Sequence, residues 1–141
     1  MKSFAILDTA KGFEEACIDL KAAVASHGFG LLSVHDLATT LRSKDISFAE
    51  ECRVFEVCNP KQAAKVLQLD MALSMALPCR ISVYTEAGQT RIGMIRPVAM
   101  LRDLSAVPEL MGIAQAIESS MTAVILEAAA SISVGLSLIH I

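Results

Sequence analysis

At 141 residues, with 54% hydrophobic and 19% charged side chains and a net charge of −3, the chain is sized for one domain whose core needs no staples. The slight negative charge and the lack of a basic stripe argue against nucleic acid, whose binding depends on clustered Lys and Arg. No unbroken apolar run of about 20 residues offers a membrane span, and Asp8 and Lys11 come too early for a secretory leader. A cytoplasmic setting follows, in which the four cysteines are thiols rather than bridges. The apolar surplus over what one small core can bury predicts a surface covered by a second copy, a homodimer.

Ser3 to Asp8 fits an opening strand. From Gly12 the period changes: Phe13, Ala16, Cys17, Leu20, Ala23 and Val24 recur at three and four, a helix with one apolar face. Cys17 lies on that face and reads as core packing. Gly28 suits a left-handed helix end, after which Phe29 to Val34 forms a second strand. A short helix is expected over Asp36 to Leu41, with His35 at the junction as a surface or orienting residue, and Ser43 to Glu51 reads as a loop.

Arg53 to Cys58 is the third strand. Asn59 is a good N-cap and Pro60 a good first helical residue, so the next helix starts sharply and runs to about Asp70. Asp70 caps a further turn, Met71 to Ala76, and Leu77-Pro78-Cys79 launches the fourth strand. That strand alternates Cys79, Ile81 and Val83 against Arg80, Ser82 and Tyr84, which predicts one buried face. Glu86-Ala87-Gly88-Gln89 is expected as a four-residue hairpin loop before a returning strand to Arg96. Pro97 and Pro108 then open two helices, the second with an apolar seam through Leu110, Ala114, Ile117, Met121, Val124 and Ala128. This order gives an α+β domain: a single layer of mixed, mainly antiparallel sheet with helices packed on one face. The domain is expected over residues 1–130. The run Leu136 to Ile141 resembles translated adapter sequence, so 131–141 is expected to be a non-native or truncated tail.

Three constellations carry candidate chemistry. Cys58 stands immediately before the Asn59-Pro60 helix start, where the helix's positive end and free amides favour a thiolate. Cys79 enters the strand that could lie beside it, so the two sulfurs are a candidate redox pair; small side chains filling tight places is the plainer reading. Cys58, Cys79, Met71 and Met75 are ligands suited to copper(I), but no paired spacing supports a metal site, and Met at helical spacing is more often core. Arg53, Glu56, Arg80, Tyr84, Arg91 and Arg96 sit on strands and could bind an anion or simply form cross-strand ion pairs. No glycine-rich phosphate loop, nucleophile elbow or close carboxylate pair appears, so no enzyme reaction or cofactor is assigned.

Val57-Cys58-Asn59-Pro60, Leu77-Pro78-Cys79 and the strand after it, with Arg96-Pro97-Val98-Ala99-Met100-Leu101, make the chain resemble the DUF302 family, a domain of unknown function. The resemblance runs from about Phe29 to Leu126. It implies a small α+β domain that forms dimers, found mostly in bacteria and archaea, with cysteines at the positions of Cys58 and Cys79. The family more often has an aromatic and a small residue where Cys52 and Glu56 stand. The leading expectation is therefore a dimeric module, binding a small molecule or another protein, with a sheet edge or helix seam buried between subunits. The alternative is a thiol redox or copper(I) protein using Cys58 and Cys79. Asn59, Pro60, Pro78, Arg80 and Tyr84 are the expected lining of either site.

Overall fold

A computed structural model describes residues 2–130, so the expected boundary at 130 and the character of 131–141 lie outside the described residues. Five strands form one sheet, β1 (Phe4–Thr9), β2 (Gly30–Asp36), β3 (Cys52–Cys58), β4 (Cys79–Glu86) and β5 (Gln89–Ile95). They are ordered β1-β5-β4-β3-β2. Every neighbouring pair is antiparallel, so the sheet carries none of the parallel pairing that a mixed sheet would have. The helices are α1 (Phe13–Ser26), α2 (Leu37–Ser43), α3 (Pro60–Leu69), α4 (Pro97–Leu104) and α5 (Pro108–Ala129), with a 3-10 helix at Met71–Ala76.

Local chemistry sets the boundaries. At the end of α1 the Phe29 amide donates to the Val24 carbonyl and the Gly28 amide to Ala25, while Gly28 takes φ 81°. That is a Schellman stop, and buried Phe29 supplies its apolar contact. The side chains of Asp36, Asn59 and Asp70 each accept from a backbone amide in the first turn of α2, α3 and the 3-10 helix. Helix α2 thus begins after Asp36 and extends to Ser43, two residues beyond the expected end. Glu86 pairs directly with Gln89, which shortens the hairpin loop to Ala87-Gly88. Both residues have positive φ, 51° and 82°, the geometry that matches strand twist in two-residue hairpins.

Register sorts the strand side chains onto two faces. Leu7, Ile92, Val83 and Arg53 form one row, and Ala5, Met94, Ile81, Phe55 and Val34 the next. This is the face that α1 and α5 cover, and Phe55, Ile81, Val83 and Ile92 are fully buried on it. From α1 come Leu20 and Val24, and from α5 Leu110, Met121 and Val124. The α5 seam, Leu110, Ala114, Ile117, Met121, Val124 and Ala128, is thus buried inside the domain. Lys11 fastens this layer: its ammonium donates to Asp19 Oδ2 at 2.6 Å and to the Ala128 carbonyl at 2.9 Å, with the Thr9 hydroxyl bonded to the Ala129 carbonyl.

Among the described residues, no helix lies across the opposite face of the sheet. Its rows read Phe4, Ile95, Arg80, Glu56; then Ile6, Gly93, Ser82, Val54, His35; then Asp8, Arg91, Tyr84, Cys52. The apolar end of this face is exposed, with Phe4 at 64% and Ile6 at 46%. No helix among the described residues is long and apolar enough to cross a membrane.

Candidate functional site

A cleft of about 420 Å³ opens on that uncovered face. Its floor is Ile6, Gly93, Ser82 and Val54, the central row of the face. Phe4 and Ile95 line one side, Pro78, Ala76, Pro97 and Met100 close one end, and Arg80 and Tyr84 supply its polar reach. Gly93 keeps the floor low: a Cβ there would sit 3.0 Å from Ile6 Cγ1 and 3.1 Å from the Ala5 carbonyl oxygen, so β1 can lie close only against a residue without a side chain. The end wall depends on where α4 starts. Arg96 donates from Nε and Nη2 to Glu118 Oε2 at 3.0 and 2.8 Å, and Glu118 Oε1 accepts from the Val98 amide at 3.0 Å. This carboxylate, projected from α5, fixes the first turn of α4, and with it Pro97 and Met100.

Electrostatically the cleft is one-sided. Arg80 is paired through Nη2 with Glu56 Oε2 at 3.1 Å, and His35 Nε2 approaches Glu56 Oε1 at 3.1 Å. His35, then Arg80, holds the Glu56 carboxyl below its ordinary value. His35 is therefore the exposed orienting residue expected at its junction. No carboxylate lines the cleft itself among the described residues.

The expected lining residues divide. Pro78, Cys79, Arg80 and Tyr84 border the cleft. Cys58, Asn59, Pro78 and Cys79 border a second, much smaller cavity of about 20 Å³, barely one water in size. Pro60 borders neither, since its role is the first turn of α3. The expectation that the two thiol-bearing strand ends adjoin is met, for β3 and β4 are neighbours and Val57, next to Cys58, is opposite Cys79. All four described cysteines are free thiols. Burial, and then the neighbouring Cys58, push the Cys79 thiol up to about 11, which makes it a poor nucleophile at neutral pH. Cys17 is core, with its thiol likewise pushed up to about 11 by burial.

Two other constellations resolve differently from their sequence reading. Met71 and Met75 point to solvent, at 69% and 85% exposure, and so neither fills the core nor joins the cysteines around the small cavity. The strand arginines do not converge. Arg53 lies on the helix side, bonded to Glu14 and Asp36 and stacked 4.9 Å from the Phe13 ring centre. Arg91 pairs with Asp8 and Glu86, and Arg96 with Glu118. Cross-strand and strand–helix ion pairing accounts for the set, with Arg80 alone facing the cleft. Phe4, Ile6, Val54, Gly93, Ile95 and Met100 were missed as site residues. Their one signal was that β1 and the end of β5 are apolar in both phases, more than one buried face requires.

The family model for DUF302, a domain of unknown function, matches residues 6–128. The chain belongs to the DUF302 family. Its fold is similar to that of an uncharacterized conserved DUF302 protein from Bacillus stearothermophilus solved by crystallography, at a TM-score of 0.86 and 32% identity over 91% of this chain and 99% of that one. No curated protein matches the chain. The family match begins at residue 6, so it takes in β1 and α1, ahead of the Phe29 start expected from the motifs.

Proposed function

We propose that this DUF302 domain binds a small apolar molecule in the cleft on the open face of its sheet, and does so as a cytoplasmic homodimer. The cleft carries the reading. It is concave, mostly apolar, bears a few polar groups at one side, and lies within the ~300–1,000 Å³ range of small-molecule sites. Dimerisation draws support from the other side of the sheet. Edge strand β2 exposes Leu31, Leu32 and Val34, with Leu37, Ile46 and Phe48 also exposed nearby in sequence. Apolar side chains exposed along an edge that pairs with no further described strand invite a second strand.

The test uses N-phenyl-1-naphthylamine, a neutral fluorophore that brightens in apolar sites. Saturable enhancement, abolished by Ser82→Phe (which fills the floor from the open face) and retained in Leu32→Lys, is the expected result. Enhancement unaffected by Ser82→Phe would refute the assignment. Sedimentation at micromolar concentration reads the dimer: Leu32→Lys should shift it toward monomer, and a monomeric native protein would refute that part.

A second reading, thiol redox or copper(I) chemistry at Cys58 and Cys79, is favoured by the small cavity that both line. It is opposed by the raised Cys79 thiol. Copper(I) binding that is lost in Cys58→Ser, or oxidation of the native protein to an internal disulfide, would move the assignment there.

A further inference from the structure

The cleft's polar lining consists of one guanidinium and two hydroxyls, those of Arg80, Ser82 and Tyr84, and no carboxylate. Arg80 makes one ion pair, through Nη2 to Glu56. Its Nε and Nη1, and the Ser82 hydroxyl, make no hydrogen bond to another described residue, while Tyr84 stands opposite Arg91 and within its electrostatic reach. A guanidinium offers five N–H donors in a flat fork that matches a carboxylate in two parallel bonds. Arg80 is more than half exposed and stands at the cleft's rim, while Ile6, Val54, Ile95 and Met100 form the hydrocarbon surface beyond it.

We propose, resting on the cleft as the binding site, that its ligand is a hydrophobic monocarboxylate, a medium-chain or arylalkyl acid. Its carboxylate sits at Arg80 within reach of the Ser82 hydroxyl, next on the same face of β4, and its hydrocarbon body lies across Gly93 toward Ile6. Three features narrow the class. The cation at the rim selects an anion over a neutral amphiphile. Glu56, bonded to that same guanidinium, repels a second negative charge and so disfavours phosphate monoesters. The volume, at the small end of the small-molecule range, excludes bulky polycyclic or two-chain lipids.

The experiment displaces N-phenyl-1-naphthylamine from the full-length protein with decanoate, decanol and decyl phosphate, all below their micelle concentrations at neutral pH. Decanoate should bind about tenfold tighter than decanol, as hydrogen bonds to a charged group allow, and tighter than decyl phosphate. Arg80→Met, whose stem still packs along the sheet, should bring decanoate within about twofold of decanol. Ser82→Ala should narrow the gap by a smaller factor, and Ile18→Ser, exposed on α1 away from the cleft, should keep it in full. Circular dichroism confirms that each variant is folded. Equal affinities for decanoate and decanol, or a gap that survives Arg80→Met, overturn the carboxylate assignment while leaving the cleft. Decyl phosphate binding as tightly as decanoate overturns the single-charge argument. Failure of all three to displace a probe that does bind shows that the occupant is of another class, and failure of the probe itself to bind overturns the cleft.

Discussion

Replacing Glu118 with alanine tests whether one carboxylate on α5 positions the end wall of the cleft. The side chain is 16% exposed and its partner Arg96 28%, so solvent screens the pair only partly. Three hydrogen bonds are lost, two to a guanidinium and one from the Val98 amide in the first turn of α4. Each bond to a charged partner contributes about 1.5–3 kcal/mol in favourable cases. The two to Arg96 share one oxygen and are partly wet, so together they stand near the bottom of that range. The Val98 amide keeps some access to water once freed, adding about 1 kcal/mol. The expected loss is about 2–3 kcal/mol, read as a fall of roughly 1 M in the urea midpoint at an unchanged slope. Glu118→Gln preserves an acceptor for Val98 and should lose about half as much. A loss below about 0.5 kcal/mol for the alanine variant would refute the claim. Unaltered probe affinity in the alanine variant would separately show that Pro97 and Met100 are held by something else.

Lys11→Met keeps the buried stem but removes the ammonium from Asp19 and the Ala128 carbonyl; with the side chain only 5% exposed, a loss of about 3 kcal/mol in urea unfolding is expected, and a neutral outcome would show that packing alone fastens α5 to α1. Cys79 and Cys17, raised in the fold, keep their protons where the unfolded chain has lost them, so stability should be level up to about pH 9 and then fall toward pH 11. The slope is at most about 1.4 kcal/mol per pH unit for one such thiol; a Cys79→Ala variant with an undiminished slope in alkaline urea titrations would contradict this. Ala87 adopts φ 51° in the two-residue turn, so Ala87→Gly should raise the melting temperature by an amount equivalent to about 0.5–1 kcal/mol, and a decrease would mean that the turn is set by other contacts.

What could be read in the chain was whatever short-range chemistry dictates. Gly28, Asn59, Pro60, Pro97 and Pro108 punctuate helices through their own backbone preferences, and the alternation in Cys79 to Tyr84 named the buried face without reference to other strands. The cleft could not be read this way. Ile6, Ser82, Gly93 and Met100 come from distant segments and meet only once β1 pairs with β5 and α4 folds back over their end. Arg53 shows the same limit. Strand position alone cannot say that Phe13 and Glu14 of α1 draw its guanidinium to the helix side, away from Arg80. For the cysteines, adjacency followed from the strand order, but the burial that keeps Cys79 protonated depends on helices that no local motif specifies.

The most direct measurement is a two-dimensional NMR titration of the native protein with decanoate, following the Gly93 amide, the Ile6 and Ile95 methyls and the Met100 methyl. Saturable shifts confined to these groups and to the Arg80 side chain are what a carboxylate-binding cleft on the open sheet face requires. Shifts centred on Leu31 to Val34, or on Cys58 and Asn59 instead, would contradict it.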